Sequence, residues 1–205
     1  EYLPMDEKHP TSAINPYGRT KIHLEEVIRD ICFADKDFSS ICLRYFNPIG
    51  AHESGLIGES PNGVPNNLMP YLLHVASGQY PLLKVYGNDY DTKDGTGIRD
   101  YVHVQDIARG HLSALEFLFR RNIKKNFQIF NLGTGHGNSV LEIINNFEKV
   151  TNVSIPIEIA SRRAGDVAAS YADTSKAENV LNWSAKMSLN EMLYSAWNFH
   201  QKLSE

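Results

Sequence analysis

The apolar residues near the start of the chain recur with the period of an α-helix. Four of them fall at i, i+3, i+4 and i+7: Leu24, Val27, Ile28 and Ile31. This spacing predicts a helix over 16–31. Asn15 suits the N-cap position, and Pro16 suits the first helical position, where no backbone N–H is required.

Short apolar runs further along the chain predict β-strands. The run 40–46, Ser-Ile-Cys-Leu-Arg-Tyr-Phe, is β-prone and follows a helix, which favours a buried parallel strand that Asn47-Pro48 ends. Further strands are predicted at 83–86, 98–104 and 127–131. Residues just past the carboxyl end of such a strand line the ligand crevice of an open α/β sheet. Phe46 and Asn47 are therefore candidate site residues, although a plain turn after the strand would leave the same pattern.

Helix signals alternate with these strands. Helices are predicted over 68–75 and 107–118, after each of the capping boxes Ser139-x-x-Glu142 and Ser188-x-x-Glu191, and from about 173. Residues 50–67, rich in Gly, Pro, Asn and Ser, indicate a long functional loop or a change of domain. The alternation of strands with helices predicts an α/β fold.

A glycine-rich turn at 133–137, Gly-Thr-Gly-His-Gly, is similar at first sight to a dinucleotide-binding loop. That fingerprint needs G-x-G-x-x-G between a strand and a helix, with an acidic residue near the end of the next strand. Here the third glycine comes one place early. We therefore interpret 133–137 as a strand-to-helix turn, and no other stretch of the sequence qualifies as a pyrophosphate cradle.

Two side chains at the start of the first predicted helix can perform acid–base chemistry. Tyr17 and Lys21 are four residues apart and so share one helix face. A nearby ammonium favours the phenolate, which would make Tyr17 a general base near neutral pH. The spacing alone fits a solvated helix end equally well. It is also weak by itself, since Tyr80 and Lys84 share it in a segment that Pro81 should keep extended.

Composition narrows the class of protein. With 205 residues and a net charge of −4, the chain has ample length for a core and no basic run that would bind nucleic acid non-specifically. Its N-terminus is charged rather than signal-like, and no apolar stretch approaches the length of a membrane span. Cys32 and Cys42 lack metal-ligand spacing and are expected to be buried thiols. We therefore expect a cytoplasmic protein without a metal site.

Paired arginines in the C-terminal third of the chain are a candidate site for a charged ligand. Arg162-Arg163 is followed by Ala-Gly-Asp in a chain whose net charge is negative. A guanidinium binds phosphate oxygens through paired N–H groups, which a diffuse surface charge cannot do. The pair therefore indicates a local anion site, while solvated surface arginines would give the same sequence.

Several longer motifs relate the chain to a known family. They are Asn-Pro-Tyr-Gly-x-Thr-Lys at 15–21, Arg-Tyr-Phe-Asn-Pro-Ile-Gly-Ala-His at 44–52, Asn-Asn-Leu-Met-Pro at 66–70, the block 87–104, and Arg-Arg-x-Gly-Asp-Val-Ala at 162–168. Together they resemble the UDP-galactose 4-epimerase (UDP-glucose 4-epimerase) family of the extended short-chain dehydrogenase/reductase superfamily. The resemblance covers essentially the whole chain, from Tyr2 to the terminal helix.

The resemblance implies how the reaction would proceed. Tyr17 would take the proton from the sugar 4-hydroxyl while C4 gives its hydride to NAD. Lys21 would hold the nicotinamide ribose and favour the phenolate of Tyr17. Phe46 would lie against the nicotinamide. UDP-galactose and UDP-glucose would be interconverted through a 4-keto sugar that turns over in the pocket.

The same resemblance implies a set of UDP-sugar contacts. They are Asn47, Asn67, Leu68, Lys84, Val85, Tyr86, Arg99, Arg163, Asp166 and Ser170. Within this set, Arg99 and Arg163 would clamp the diphosphate, and Asp166 would bind the uridine ribose. Residues 84–86 would lie beside the uracil.

Ser170 bears on the range of substrates. Its position holds a bulky tyrosine in some family members and a small residue in others. A small side chain leaves space for an N-acetyl group, so UDP-N-acetylgalactosamine and UDP-N-acetylglucosamine are expected as further substrates. The resemblance also implies a homodimer when the protein is full length, with no nucleic-acid or membrane partner.

The resemblance finally implies a fold and a missing part. In the family a strand, a Gly-rich turn, most of the sheet and a catalytic Ser or Thr precede the Tyr. We expect 1–48 to be the last helix and strand of a Rossmann-type doubly wound parallel sheet, and 49–205 a smaller α/β UDP-sugar-binding domain. Residues 1–205 alone are expected neither to bind NAD stably nor to turn over. A sister dehydratase or decarboxylase and a non-catalytic UDP-sugar-binding remnant stay open as alternatives.

Overall fold

The computed structural model describes residues 2–13, 15–120 and 126–203. In chain order the elements are α1 (Pro16–Ala34), β1 (Ser40–Tyr45), β2 (Asn47–Ile49), α2 (Leu68–Ala76), β3 (Leu83–Tyr86), β4 (Ile98–His103), α3 (Val104–Leu118), β5 (Phe127–Leu132), β6 (Gly137–Ser139), α4 (Val140–Thr151), β7 (Ile157–Ala160), β8 (Ala169–Ser170) and α5 (Leu189–Leu203). Parallel strand pairs joined through helices confirm the predicted α/β class. The predicted division near residue 48 stays a prediction.

Helix α1 begins where its capping residues predict. The Asn15 side-chain oxygen Oδ1 accepts a hydrogen bond from the backbone N–H of Gly18 at 2.7 Å, and Pro16 occupies the first turn. The helix runs to Ala34, past the predicted end at 31, because the intervening Cys-Phe-Ala contains no helix-breaking residue.

The apolar stripe that predicts α1 lies largely at the surface. Leu24 and Val27 are each 53% exposed, whereas Cys32 is buried. The helix is joined to β1 through an ion pair, in which Arg44 donates Nε to Glu25 Oε1 at 2.8 Å and Nη2 to Oε2 at 2.7 Å. This bidentate ion pair between half-buried side chains holds α1 against β1, the strand that leads to the candidate site.

The strand β1 pairs in parallel with β5, as its position after a helix predicts. The predicted end of this strand at Asn47-Pro48 is confirmed, since β1 ends at Tyr45, but after Phe46 the chain forms a new strand, β2, in parallel with β4 of another sheet. Asn47 lies opposite Tyr101 in that pairing. The missing N–H of proline is a property of the local sequence, whereas the pairing of β2 with β4 joins segments about fifty residues apart in the chain.

Two hydrophobic cores hold these elements together. The first lies between α2, α4 and α5 and includes Leu72, Phe147 and Leu193. The second lies under β1, β5 and α3 and includes Phe130 and Trp183. Both predicted capping boxes are formed: Ser139 with Glu142 at 3.0 and 2.9 Å, and Ser188 with Glu191 at 3.3 and 2.6 Å.

The helix predicted from about 173 is present as a short segment over 175–181. Its π-helical part spans Ala177–Leu181, and Asn182 ends it in the left-handed conformation at φ 53°. Ala177 and Leu181 are both buried in the second core. Packing of Ala177, Leu181 and Trp183 in the second core therefore stabilises this segment.

The glycine turn at 133–135 folds around a buried carboxylate. Asp100 accepts hydrogen bonds from Thr134 N at 2.8 Å, Thr134 Oγ1 at 2.6 Å, Gly135 N at 3.0 Å and Ala172 N at 3.1 Å. A Cβ at Gly133 would come within 2.5 Å of Asp100 Oδ2. The backbone N–H groups of Thr134 and Gly135 thus donate to Asp100, which agrees with the interpretation of 133–137 as a structural turn.

Removing this carboxylate should destabilise the protein strongly. In Asp100→Ala, four donors of the turn and of residue 172 would lose their acceptor in a fully buried site. We expect the free energy of unfolding to fall by about 3 kcal/mol or more. Thermal denaturation followed by circular dichroism measures this, with the exposed Asp91→Ala as the control. Equal melting temperatures for the two variants would contradict the prediction.

Candidate functional site

A cleft of about 820 Å³ opens where five segments of the fold converge. Its walls are β2, the start of α2, the strands β3 and β4, and the segment 163–166. Eight of the residues predicted to contact a ligand line it: Asn47, Asn67, Leu68, Lys84, Tyr86, Arg99, Arg163 and Asp166. Segments far apart in sequence therefore bring most of the predicted contacts to one place.

The start of α2 supplies an anion-attracting end to the cleft. Asn67 occupies the N-cap position, but its side chain makes no capping hydrogen bond, and no acidic residue lies in the first turn. The free backbone N–H groups and the helix dipole therefore favour a negative group in front of Asn67 and Leu68. The Asn67 side chain is thus not used as a cap, which leaves its amide available to a ligand in the cleft.

Two arginines share one carboxylate on the opposite wall. Asp166 Oδ2 accepts a hydrogen bond from Arg163 Nε at 3.1 Å, and Asp166 Oδ1 lies 3.9 Å from Arg99 Nη2. Arg99 is also held by its Nη1, which donates to Ile98 O at 2.8 Å and to Val167 O at 2.9 Å. One negative charge between two guanidinium groups leaves a net positive charge and orients both arginines before a ligand binds.

The neighbouring arginines 162 and 163 point to different places. Arg163 lines the cleft, with its guanidinium carbon 4.8 Å from the centre of the Tyr86 ring. Arg162 is not among the lining residues and pairs through Nε with Asp89 Oδ1 at 2.7 Å. The anion site predicted from the pair therefore involves one of its two arginines directly.

The charge and the aromatic side chains of the cleft define what it can bind. Lys84, Arg99 and Arg163 are opposed by only two carboxylates in the lining, those of Glu59 and Asp166. Tyrosine rings add flat, partly apolar walls: Tyr71, Tyr86, Tyr90 and Tyr101. Such a cleft suits an anionic ligand that also carries a planar ring, which describes a nucleotide.

Tyr101 is a lining residue that sequence reasoning missed. It is buried next to Arg99, and burial raises the pKa of its phenol to about 12, so the hydroxyl stays protonated. The signal was present in the sequence, because Arg99 and Tyr101 are two apart on a strand and so share one face. Tyr90, Glu59 and Asn66 also line the cleft, but they come from loops where no period applies.

Val85 differs from its neighbours on β3. The strand alternates, so that Lys84 and Tyr86 line the cleft while the Val85 side chain is only 1% exposed and packs in the first core. Any contact of Val85 with a ligand would therefore use its backbone. The alternation follows from the two-residue period of a strand.

Tyr17, Lys21 and Phe46 lie outside the lining of this cleft. Tyr17 is 72% exposed on the first turn of α1, and the Lys21 ammonium lies 5.0 Å from the centre of its ring. The two side chains thus share one face, as their spacing predicts. Phe46 is half-buried between β1 and β2, and its backbone N–H donates to Leu132 O at 3.0 Å.

Ser170 lies on β8 beside Arg99 of β4 but is not part of the cleft lining. Its hydroxyl lies 3.7 Å from the sulfur of Met5. Met5 is itself held by main-chain bonds, with its N–H donating to Tyr171 O at 2.9 Å. The space next to Ser170 is therefore bounded by a flexible thioether side chain that can adapt its shape.

Other kinds of site have little support. Within residues 2–13, 15–120 and 126–203, no group of His, Cys, Asp and Glu side chains has a metal-binding arrangement. The two cysteines are free thiols, Cys32 buried and Cys42 half-buried, and burial raises the pKa of the Cys42 thiol. Among the described helices, none combines the length and apolar character needed to cross a membrane.

Comparison with known proteins identifies relatives over nearly all of the chain. Residues 1–196 match a family described as GDP-mannose 4,6 dehydratase. The chain is 52% identical over 205 residues to UDP-glucose 4-epimerase of Bos taurus, an alignment that covers 98% of this chain and 58% of that protein. The chain therefore spans well under two thirds of the length of this relative.

Solved structures share the same fold. A UDP-glucose-4-epimerase from Stenotrophomonas maltophila with bound NAD and formylated UDP-arabinopyranose has a TM-score of 0.96 and 46% identity, covering 100% of this chain and 60% of that chain. A UDP-Glc/GlcNAc 4-epimerase from Campylobacter jejuni has a TM-score of 0.78 and 39% identity, covering 97% of this chain and 59% of that chain. The first of these structures covers the whole of this chain and therefore every element that forms the cleft.

Proposed function

Since the chain belongs to the GDP-mannose 4,6 dehydratase family of the extended short-chain dehydrogenase/reductase superfamily, we propose that the whole protein is a UDP-glucose 4-epimerase. This isomerase would interconvert UDP-galactose and UDP-glucose with NAD as cofactor. The observation that carries the proposal is a single cleft lined by Arg99, Arg163 and the uncapped start of α2, together with tyrosine rings. The 52% identity to an enzyme of that name supports the assignment of the ligand.

The cleft would hold the UDP part of the substrate. Arg99 and Arg163 would bind the diphosphate, helped by the N–H groups at Asn67 and Leu68. Asp166 would then give up its contact with one of the arginines and accept hydrogen bonds from the ribose hydroxyls. Lys84, the Val85 backbone and Tyr86 would lie along the uracil at the end of the cleft formed by β3. Asn47 would contact the sugar, because it lines the cleft at the end nearest to Phe46.

The reaction itself would take place next to α1. When bound, NAD supplies the acceptor and the donor of the hydride at C4. Tyr17 would accept the proton of the sugar 4-hydroxyl and later return it, while Lys21 would hold the nicotinamide ribose and stabilise the phenolate. Phe46 would pack against the nicotinamide side. The exposed position of Tyr17 and Lys21 on one face of α1 leaves both side chains accessible to such ligands.

The residues of this chain fit one end of NAD rather than the whole cofactor. Tyr17, Lys21 and Phe46 can hold the nicotinamide end. The backbone amides of the glycine turn at 133–135 are directed to Asp100, so this turn cannot also cradle a pyrophosphate. We expect the pyrophosphate to be bound outside the residues described here.

Anchoring UDP far from the reacting carbon has a mechanistic advantage. Binding energy at Arg99 and Arg163 would retain the oxidised sugar while the sugar ring itself stays free to turn. The same hydride can then return to the opposite face of C4. A cleft that bound the sugar as tightly as the nucleotide would block this rotation.

We also propose that the N-acetylated sugars UDP-N-acetylgalactosamine and UDP-N-acetylglucosamine are substrates, because Ser170 is small and its neighbour Met5 is flexible. In Ser170→Tyr, the larger side chain should lower kcat/KM for the N-acetylated sugar at least about tenfold more than for UDP-galactose. Initial rates on both substrates measure this ratio, with Ser170→Ala as the control. No turnover of the N-acetylated sugar by an enzyme active on UDP-galactose would remove the proposal.

The test of the main proposal uses the natural full-length protein. It is incubated with UDP-galactose, and formation of UDP-glucose is followed without adding NAD. Conversion would support both the epimerase and a retained cofactor. No conversion, even with NAD supplied, would exclude the proposed activity.

One alternative has a specific observation in its favour. The matching family is named after a dehydratase, which would release water from the sugar instead of inverting C4. Mass spectrometry of the reaction product separates the two, since an epimer keeps the mass of the substrate and a dehydration product is lighter by one water. A non-catalytic UDP-sugar-binding protein would bind UDP and yield neither product.

The remaining parts of the proposal concern the organisation of the protein. Residues 1–48 would belong to the NAD-binding domain and 49–205 to the UDP-sugar-binding domain. Strand β5 lies in the second range, but it would complete the sheet of the first domain because it pairs with β1. The full-length protein would be a cytoplasmic homodimer without nucleic-acid or membrane partners. Sedimentation velocity of the natural protein measures the oligomeric state.

A further inference from the structure

Tyr90 has a hydroxyl group that the protein itself does not satisfy. The side chain is only 7% exposed and forms part of the cleft wall. Its hydroxyl oxygen is closed to bulk water and has no hydrogen-bond partner among the described residues. Buried hydroxyl groups are almost always hydrogen-bonded, since an unpaired one has lost its contacts with water without replacement. An unpaired hydroxyl in a ligand cleft therefore points to a partner on the ligand.

The ring of Tyr90 is held in a defined position. Its backbone N–H donates to Gly95 O at 2.9 Å, and the Cε2 atom would lie 2.6 Å from a Cβ at position 87. Gly87 has φ +83° and directly follows β3, so a glycine at this position gives the ring its space. Phenylalanine would occupy the same volume. The hydroxyl is thus not needed to fill the site.

The location of Tyr90 indicates which part of the ligand is near. Gly87 directly follows Tyr86, and β3 is the wall proposed to hold the uracil. The arginines proposed for the diphosphate meet at Asp166, and Arg163 also lies over the Tyr86 ring, so the diphosphate would adjoin the nucleoside at the Tyr86 end of β3. Tyr90 therefore belongs to the nucleoside end of the cleft.

The Arg162 side chain packs over the ring of Tyr90. Its guanidinium carbon lies 4.2 Å from the centre of the Tyr90 ring, and its Nε is bonded to Asp89. Both partners of this ion pair are largely solvent-exposed, at 46% and 69%. Exposed ion pairs contribute little to stability, so a ligand can displace the Arg162 side chain at small cost.

We propose that the Tyr90 hydroxyl donates a hydrogen bond to an oxygen of the uridine moiety of the bound nucleotide. The inference rests on the proposed function, because it takes a uridine nucleotide as the ligand. Tyr90 is then a binding residue that contacts the nucleoside end of the substrate. Its hydroxyl has its partner only in the complex, and the ligand-free protein is less stable than it would be without this group.

The test is Tyr90→Phe in the natural full-length protein, with isothermal titration calorimetry on UDP and UMP. We expect the Kd of both nucleotides to rise by about five- to tenfold, because the lost contact is on the uridine that they share. The melting temperature without nucleotide should stay the same or rise. Tyr80→Phe is the control, since Tyr80 does not line the cleft, and it should leave both Kd values unchanged.

Three results would overturn the proposal while the wild-type protein binds UDP. They are an unchanged Kd for UDP in Tyr90→Phe, a weaker UDP complex with unchanged UMP affinity, and a lower melting temperature without nucleotide. The last result would show that the hydroxyl has a partner within the protein. Failure of the wild-type protein to bind UDP would instead contradict the proposed function, so the two failures are distinguishable.

Discussion

Replacing Tyr17 with phenylalanine should reduce the rate of epimerisation by about 10³-fold while leaving the affinity for UDP unchanged. The phenol would be the group that moves a proton at the 4-hydroxyl, and phenylalanine keeps its shape but cannot accept a proton. The residue is exposed on the first turn of α1 and lies outside the lining of the UDP cleft, so neither folding nor nucleotide binding should depend on its hydroxyl. Conversion of UDP-galactose by the natural full-length protein measures the first effect, and calorimetry with UDP measures the second.

A matched control is available on another helix. Tyr194 is 60% exposed on α5, and Tyr194→Phe should retain full activity. If Tyr17→Phe kept more than about a tenth of the wild-type rate, general base catalysis by Tyr17 would be excluded, since such catalysis contributes at least about 10²-fold. A loss of UDP affinity in Tyr17→Phe would show that the residue acts in binding instead.

Replacing Arg163 with alanine should weaken UDP binding by about 10- to 100-fold, because hydrogen bonds to charged groups contribute more than neutral ones. Arg163 lines the cleft and is oriented by Asp166 at 3.1 Å, so little rearrangement would be needed to meet the diphosphate. The effect should be much smaller for uridine, which has no phosphate. Calorimetry on both ligands separates a lost phosphate contact from a general disturbance of the cleft.

The neighbouring residue is the natural control for this experiment. Arg162 has the same charge and a similar exposure, but it pairs with Asp89 outside the cleft lining. Arg162→Ala should therefore leave the UDP affinity within about twofold of wild type, as expected for a screened surface charge. Equal losses in the two variants would mean that net charge, and not the position of Arg163, determines binding.

Capping and strand alternation were predictable because they depend on neighbours in sequence. Asn15 accepts a bond from Gly18, and Ser139 exchanges bonds with Glu142, each pair three residues apart. The alternation on β3 follows from the two-residue period of a strand. The glycine turn at 133–137 was also interpreted correctly, since its spacing does not fit a dinucleotide loop and its amides serve Asp100.

Distant segments decide the local conformation at several places. Asn47-Pro48 ends β1 as its local chemistry predicts, but pairing with β4 makes the same residues the start of a new strand, β2. Trp183, which follows the short helix at 175–181, is buried in the second core. Helix α1 shows the reverse case, because its apolar residues have a helical period while Leu24 and Val27 remain 53% exposed.

For this protein, the sequence by itself determined most of the elements, the charged residue types of the cleft and the resemblance to one family. Those features depend on spacing and on side-chain chemistry, both of which are local. The tertiary structure alone decided that these segments meet in one cleft, that the loop residue Tyr90 forms part of its wall, and that Arg162 pairs with Asp89 outside the lining. These outcomes depend on contacts between segments far apart in the chain, which no spacing rule contains.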